Sequence, residues 1–249
     1  MQEKNIGNLS ELLSIIGRNF SILEEEIDVN VQKDFLIMAE KIKQKPRFAT
    51  LQQKFLHDPA PLFDENVPDE QKKQILIALA SIAEPAAYRT LELFAGLDTP
   101  LKPWGVIALQ QSRILLRTSL LDNPGIFISS GLGGQGELMR FFVVLFYNCD
   151  CGVEPYQKDL IQKETERAIG KAGGKIENIE FKSLYASLLI LMPLDVELPK
   201  VLSEIVEECN QYGNFLYDKP VLTNVKKLSD EEIVEFVRKQ VLSKRQDRT

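Results

Sequence analysis

Two runs, FFVVLFY at 141–147 and YASLLILM at 185–192, limit what this chain can fold into more than anything else in it. Each is rich in β-branched and aromatic side chains and uninterrupted by charge, which is the composition of a buried strand. A strand sends successive side chains to opposite faces. Phe141, Val143, Leu145 and Tyr147 therefore share one face, and Phe142, Val144 and Phe146 share the other. Both faces are apolar, so both need cover.

The surrounding segments alternate. Leu160, Ile161, Ala168, Ile169 and Ala172 mark a helix from Pro155, which Gly173-Gly174 ends. KIENIEFK at 175–182 alternates like a half-exposed strand. Leu198, Val201, Leu202, Ile205, Val206, Cys209 and Tyr212 form a helical stripe ending at Gly213. A short strand follows at 221–225, led by Pro220, where a missing ladder donor is tolerated. Ser229 and Glu232 make a capping box for a last helix carrying Ile233, Phe236, Val237 and Val241. From Phe141 the order is strand, helix, strand, strand, helix, strand. That order resembles the ferredoxin-like fold, a βαββαβ unit with antiparallel strands in the spatial order 4-1-3-2. The resemblance implies that the two apolar runs are central and that KIENIEFK and the proline-led strand are edges. It also leaves one sheet face without helices. Packing of that face against the N-terminal half or a second copy of the chain is expected, the hairpin and last helix being the other candidates.

The N-terminal half reads as helices. Asn8 or Ser10 caps a first one containing Leu9, Leu12, Leu13, Ile16 and Phe20, before the acidic run Glu24–Glu26, which reads as a solvated surface. The spacing of Phe35, Met38, Ala39 and Ile42 predicts a helix over 31–45, stopped by Pro46. A shorter helix carries Phe48, Leu51, Phe55 and Leu56. Pro68-Asp69-Glu70 opens another, and its QILIALASIA run is apolar nearly all round, so it is expected to be buried on several sides. Helices over 86–97 and 102–121 follow. The tripeptide Ile77-Ala78-Leu79 recurs as Ile107-Ala108-Leu109. A helix pair repeated at fixed spacing is the mark of an α-solenoid. Residues 68–121 thus resemble the short HEAT-like repeats of scaffolding proteins, the alternative being an irregular helical bundle.

Asp122-Asn123-Pro124-Gly125 is a turn by composition and is read as the boundary between domains 1–124 and 125–249. Beyond it lie a strand at 126–129, the loop Gly131-Leu132-Gly133-Gly134-Gln135-Gly136, and the long apolar strand. That is the pattern of a β-hairpin with a flexible tip. The glycine spacing is not that of a dinucleotide fingerprint, and the loop opens a strand instead of a helix, so the dipole and free N–H groups that cradle a phosphate are missing. An anion-holding nest of loop N–H groups remains a candidate, with Arg140 just beyond. Arg113 and Arg117, four apart with Gln110 on the same face, are a second candidate for holding a carboxylate or phosphate. The same pair is also what a solvated helix stripe looks like.

Composition removes several classes of function. Net charge is −6, without the basic footprint that phosphate neutralisation demands, so no nucleic-acid partner is expected. The strand YASLLILM also lacks the basic-aromatic pattern of an RNA-recognition sheet. No apolar run approaches the ~18 residues of a membrane span, and the N-terminus does not read as a secretory signal. Three cysteines read as free thiols in a reducing compartment, which points to the cytoplasm. His57 is the only histidine, so no multi-histidine metal site is expected. Cys149-Asp150-Cys151 has no standard zinc spacing, and no G-x-S-x-G elbow is present. No cofactor and no catalytic residue is expected.

The sequence thus predicts an α+β protein: an all-α HEAT-like or helical-bundle domain, then a ferredoxin-like antiparallel-sheet domain with an added N-terminal hairpin strand. A non-catalytic interaction or scaffolding role, with a protein partner or self-association, fits that architecture. The other class is a small-molecule or anion binder, open to enzymatic use, built on Gly131, Gly133, Gly134, Gly136 and Arg140 or on Arg113 and Arg117.

Overall fold

The protein is described from a computed structural model covering residues 20–121, 126–148 and 152–236. It is a mixed α+β chain that divides into two compact units, Met1–Gly136 and Glu137–Thr249. The 122–125 turn, where the sequence places the domain boundary, lies outside the described residues. So do the first-helix residues Leu9, Leu12, Leu13 and Ile16.

In the first unit, β1 (Phe20–Ile22) pairs in parallel with β2 (Ile126–Ile128), Phe20 opposite Ile126 and Ile22 opposite Ile128. This corrects two expectations. Phe20 belongs to a strand, not to a helix, and β2 takes β1 as its partner instead of forming a hairpin with the apolar strand beyond the loop. The reason is backbone satisfaction: a three-residue strand leaves N–H and C=O groups that need a neighbouring ladder, and the Phe-Ser-Ile triplet supplies one.

Helix α1 (Val29–Lys43) starts at Asp28, whose side chain accepts from the Asn30 N–H at 2.7 Å. Lys41 and Lys43 in its last turn suit the negative end of the helix dipole. After α2 (Phe48–His57) and a 3-10 turn (Ala60–Leu62) comes α3 (Asp69–Ala80), with Asp69 and Glu70 in its first turn. Ile75 to Ala80 are all fully buried, so the C-terminal half of α3 is enclosed on every side and forms the centre of this unit. Helices α4 (Pro85–Ala95) and α5 (Lys102–Leu121) pack against it and each other. Both copies of the repeated tripeptide lie in this core. Phe35 of α1 meets Trp104 of α5 with ring centroids 5.4 Å apart. The first unit ends in the two-residue strand β3 (Gly134–Gln135).

The second unit runs β4 (Leu138–Phe146), α6 (Pro155–Lys171), β5 (Lys175–Phe181), β6 (Tyr185–Pro193), α7 (Leu198–Asn210) and β7 (Val221–Thr223). A further helical stretch, α8, occupies 230–236. Within this unit the strand order is β7-β4-β6-β5, every neighbouring pair antiparallel. The two apolar runs occupy the middle. One sheet face, with Val143, Leu145, Ala186, Leu188 and Ile190, forms a core with Ile161 and Ile169 of α6 and Leu202 and Ile205 of α7. Phe142, Val144 and Phe146 on the opposite face are buried too. Part of that cover comes from the chain's own end. Phe236 of α8 stacks on Phe146 with centroids 5.8 Å apart and planes 11° from parallel, and Ile233 is almost fully buried.

Candidate functional site

The glycine-rich loop is assembled around the segment that follows β1. The Leu23 N–H donates to the Ile128 carbonyl, and the Ile27 N–H donates to the Gly131 carbonyl, both at 3.0 Å. Gln32, on the buried side of α1, donates its side-chain amide to the carbonyls of Ile27 at 2.8 Å and Ser130 at 3.0 Å. The Ser130 hydroxyl donates in turn to the Gly133 carbonyl at 3.2 Å. Gly131, Leu132, Gly133 and Gly134 are buried as a result, so the loop is not a free hairpin tip.

The loop amides also have partners. The Gly133 N–H donates to the Ser130 carbonyl at 3.4 Å, and the Gly134 N–H to the Glu24 carbonyl at 3.3 Å. The Gly136 N–H donates to Glu24 Oε1 at 3.2 Å. The loop therefore holds a carboxylate, and that carboxylate is the chain's own. Gly133 sits at φ +69°, where a Cβ would stand 2.4 Å from the Glu24 carbonyl oxygen. Only a glycine lets the two segments approach this closely.

Each candidate arginine has a protein partner. Arg113 Nη1 donates to Gln110 Oε1 at 3.4 Å and its Nη2 to the Tyr88 hydroxyl at 3.3 Å. Arg117 Nη1 donates to the Ser21 hydroxyl of β1 at 3.3 Å. Arg140 belongs to the second unit and grips Glu177 of β5 with two bonds, Nε to Oε2 and Nη2 to Oε1, the latter 2.8 Å. That fork, with a smaller contribution from Lys227, holds the Glu177 carboxyl below its usual range against the opposing effect of burial. The structure thus gathers the glycines with Glu24, Gln32 and Ser130, and gives the three arginines separate partners.

A cleft of about 210 Å³ opens on the face of the second unit's sheet that lies away from α6 and α7. Phe142, Leu189 and Ile233 form its apolar floor, and Glu180, Tyr185, Ser187, Lys227 and Asp230 supply its polar groups. The Tyr185 hydroxyl donates to Asp230 Oδ1 at 2.6 Å. Burial, that bond and the nearby charges of Asp230, Glu180 and Glu231 push the Tyr185 phenol well above its ordinary pKa. No motif or periodicity in the sequence marks this cleft. Its one visible signal was Ser187, a lone hydroxyl inside an otherwise apolar strand.

Among the described residues, no group of three or more His, Cys, Asp and Glu is placed to hold a metal ion. Cys149 and Cys151 lie outside the described residues. Cys209 is buried on α7, where burial pushes its thiol up to about 12. No described helix is long and apolar enough to cross a membrane.

Neither a protein-family model nor a curated protein matches the chain. Among solved structures it is similar in part to a putative transposase from Deinococcus radiodurans, with a TM-score of 0.36 and 11% identity over 41% of this chain and 91% of that one. It is also similar in part to a homoserine dehydrogenase from Thiobacillus denitrificans, with a TM-score of 0.23 and 10% identity over 51% of this chain and 29% of that one. Likenesses of this size carry no argument about function.

Proposed function

We propose that the protein is a non-catalytic interaction protein, in which a HEAT-like helical unit presents a partner-binding surface and a ferredoxin-like unit follows it in the chain. The antiparallel order β7-β4-β6-β5, with α6 and α7 on one face, supports the ferredoxin-like description. The packing of α3, α4 and α5, with both repeated tripeptides in the core, supports the HEAT-like one.

One observation carries the functional reading: three large apolar side chains are exposed on the outer side of α1. Leu36 is 66% exposed, and Val29 and Ile37 are each 41% exposed. Leu36 and Ile37 stand seven and eight residues beyond Val29, so the three share one side of the helix over about two turns, away from the buried Phe35, Ala39 and Ile42 and interspersed with the exposed Lys33 and Glu40. Such a stripe fits the apolar face of an amphipathic helix from another protein, which would anchor at the same spacing.

Cross-linking of the full chain in native extract, compared with a Leu36→Glu/Ile37→Glu variant, tests this. Both substitutions fall on exposed positions, so folding should survive them. A partner cross-linked to α1 in the parent and lost in the variant supports the reading. A partner held equally by both, or no partner at α1, overturns it.

A further inference from the structure

The cleft on the second unit's sheet is lined by groups that accept hydrogen bonds. Tyr185 directs its proton to Asp230 Oδ1 at 2.6 Å, which leaves its oxygen lone pairs as acceptors. Asn178 directs a side-chain N–H to Glu180 Oε1 at 2.9 Å, which leaves its own carbonyl and the second Glu180 oxygen as acceptors. Glu180 and Asp230 add two carboxylates to the walls. Lys227 is the cationic lining group and lies in the field of Glu177, whose carboxyl it helps to hold low. Lys182 lies 3.9 Å from Asp230 Oδ2, on the other carboxylate oxygen from the one Tyr185 binds.

The floor carries a second, independent sign. Ser187 lies opposite Val144 on β4 and Glu180 on β5, in the middle of an apolar sheet face, and it is only 8% exposed. Its hydroxyl has no hydrogen-bond partner among the described residues, yet it borders the cleft. That hydroxyl faces the cleft and is open to a hydrogen bond from a donor held there. Beside Ser187 the floor is apolar, with Phe142, Leu189 and Ile233. The volume, about 210 Å³, suits a compact small molecule.

We propose that this cleft binds a small ammonium ion carried on a compact apolar body, the ammonium meeting Glu180 and Ser187 and the body lying on Phe142 and Leu189. The ammonium has three donors and no acceptor, which complements a wall of acceptors. The body replaces water over an apolar floor. An anion meets two carboxylates there, and a neutral alcohol forgoes the charge.

Titration of the full chain with phenethylamine, 2-phenylethanol and phenylacetate, followed by calorimetry and by amide NMR shifts, tests the assignment. Saturable binding of phenethylamine, at least tenfold tighter than the alcohol, with shifts centred on Glu180, Ser187 and Leu189, is expected. Glu180→Gln, at an exposed position, should weaken that binding at least fivefold with the fold intact. Ser187→Ala should weaken it too, and a thermal melt checks that this buried position still folds. No binding, equal binding of the alcohol, preference for phenylacetate, or unchanged affinity in Glu180→Gln would each overturn the proposal.

Discussion

Gln32 and Ser130 stand 98 positions apart in the chain, and the buried Gln32 amide donates to the Ser130 carbonyl at 3.0 Å. The other hydrogen of the same amide goes to the Ile27 carbonyl at 2.8 Å, so one side chain joins α1, the segment before it and the glycine loop. Replacing Gln32 with Ala leaves two carbonyls without that donor in a buried setting. The expected loss is about 1–3 kcal/mol, read as a lower urea midpoint with an unchanged slope. Gln32→Glu should cost at least as much, since it removes donors and buries a charge. A midpoint within error of the parent for both variants would show that the amide is not what ties these segments.

Two glycines of the loop separate steric fit from backbone strain. Gly133 and Gly136 both have positive φ, +69° and +60°. A Cβ on Gly133 would strike the carbonyl oxygens of Glu24 and Glu25, whereas one on Gly136 meets nothing within 4 Å. Gly136→Ala should therefore cost only the left-handed backbone penalty, about 1–2 kcal/mol. Gly133→Ala pays that penalty and must also push two segments apart, so its loss should be clearly larger. Equal losses in paired denaturation curves would mean that the close approach to Glu24 is easily relaxed.

How much of this was legible in sequence depended on the kind of signal. The middle positions of β4 and β6 follow from uninterrupted apolar runs, because the middle of a sheet is where layers packed above and below cover both faces of a strand. The burial of Ile75 to Ala80 follows from the same logic in a helix. Other features left no periodic trace. The three-residue β1 is too short to show alternation, and Phe20 fell in step with the helical spacing before it. Glu24 looked like one of three solvated acids, although its carbonyl and carboxylate both receive loop amides. Gln32 did leave a sign: it sits on the Phe35, Ala39 and Ile42 stripe, where a polar residue needs a buried partner. The packing of α8 on Phe146 and Tyr185 realises one of the covers the sequence left open for that sheet face, the last helix. Its amphipathic pattern showed a face to bury, without choosing between that sheet face and the other candidates.

The Arg140–Glu177 pair gives a pH dependence of known sign. Arg140 holds the folded carboxyl below its value in the unfolded chain. A depressed carboxyl contributes stability that is fully present above the unfolded pKa, about 4.3, and is lost as pH falls through the lower folded value. The side chains are 17% and 28% exposed, so solvent screens the pair only in part. About 1 kcal/mol is the expected contribution. The stability difference between the parent and Glu177→Gln should be constant from pH 7 to about 5 and should shrink towards pH 3. A difference that stays flat across that range would mean the fork contributes no charge-dependent stability.

Thr165 offers the opposite case, a polar group whose removal should help. It is fully buried on α6, and its hydroxyl has no hydrogen-bond partner among the described residues. Burying an unpartnered hydroxyl costs about 1–3 kcal/mol relative to leaving it in water. Valine has nearly the same shape and a similar helix propensity, so Thr165→Val keeps the packing and removes the desolvation cost. The variant should unfold at a higher urea concentration, by about 0.5–2 kcal/mol. Thr165→Ser is the control, since it keeps the hydroxyl and deletes a methyl group, and it should fall below the parent. If valine destabilised as much as serine, the hydroxyl would have to be engaged by a buried water that accepts or donates a bond at that position. An ordered water of that kind would be visible as a dipolar cross-peak between water and the Thr165 side-chain protons of the parent.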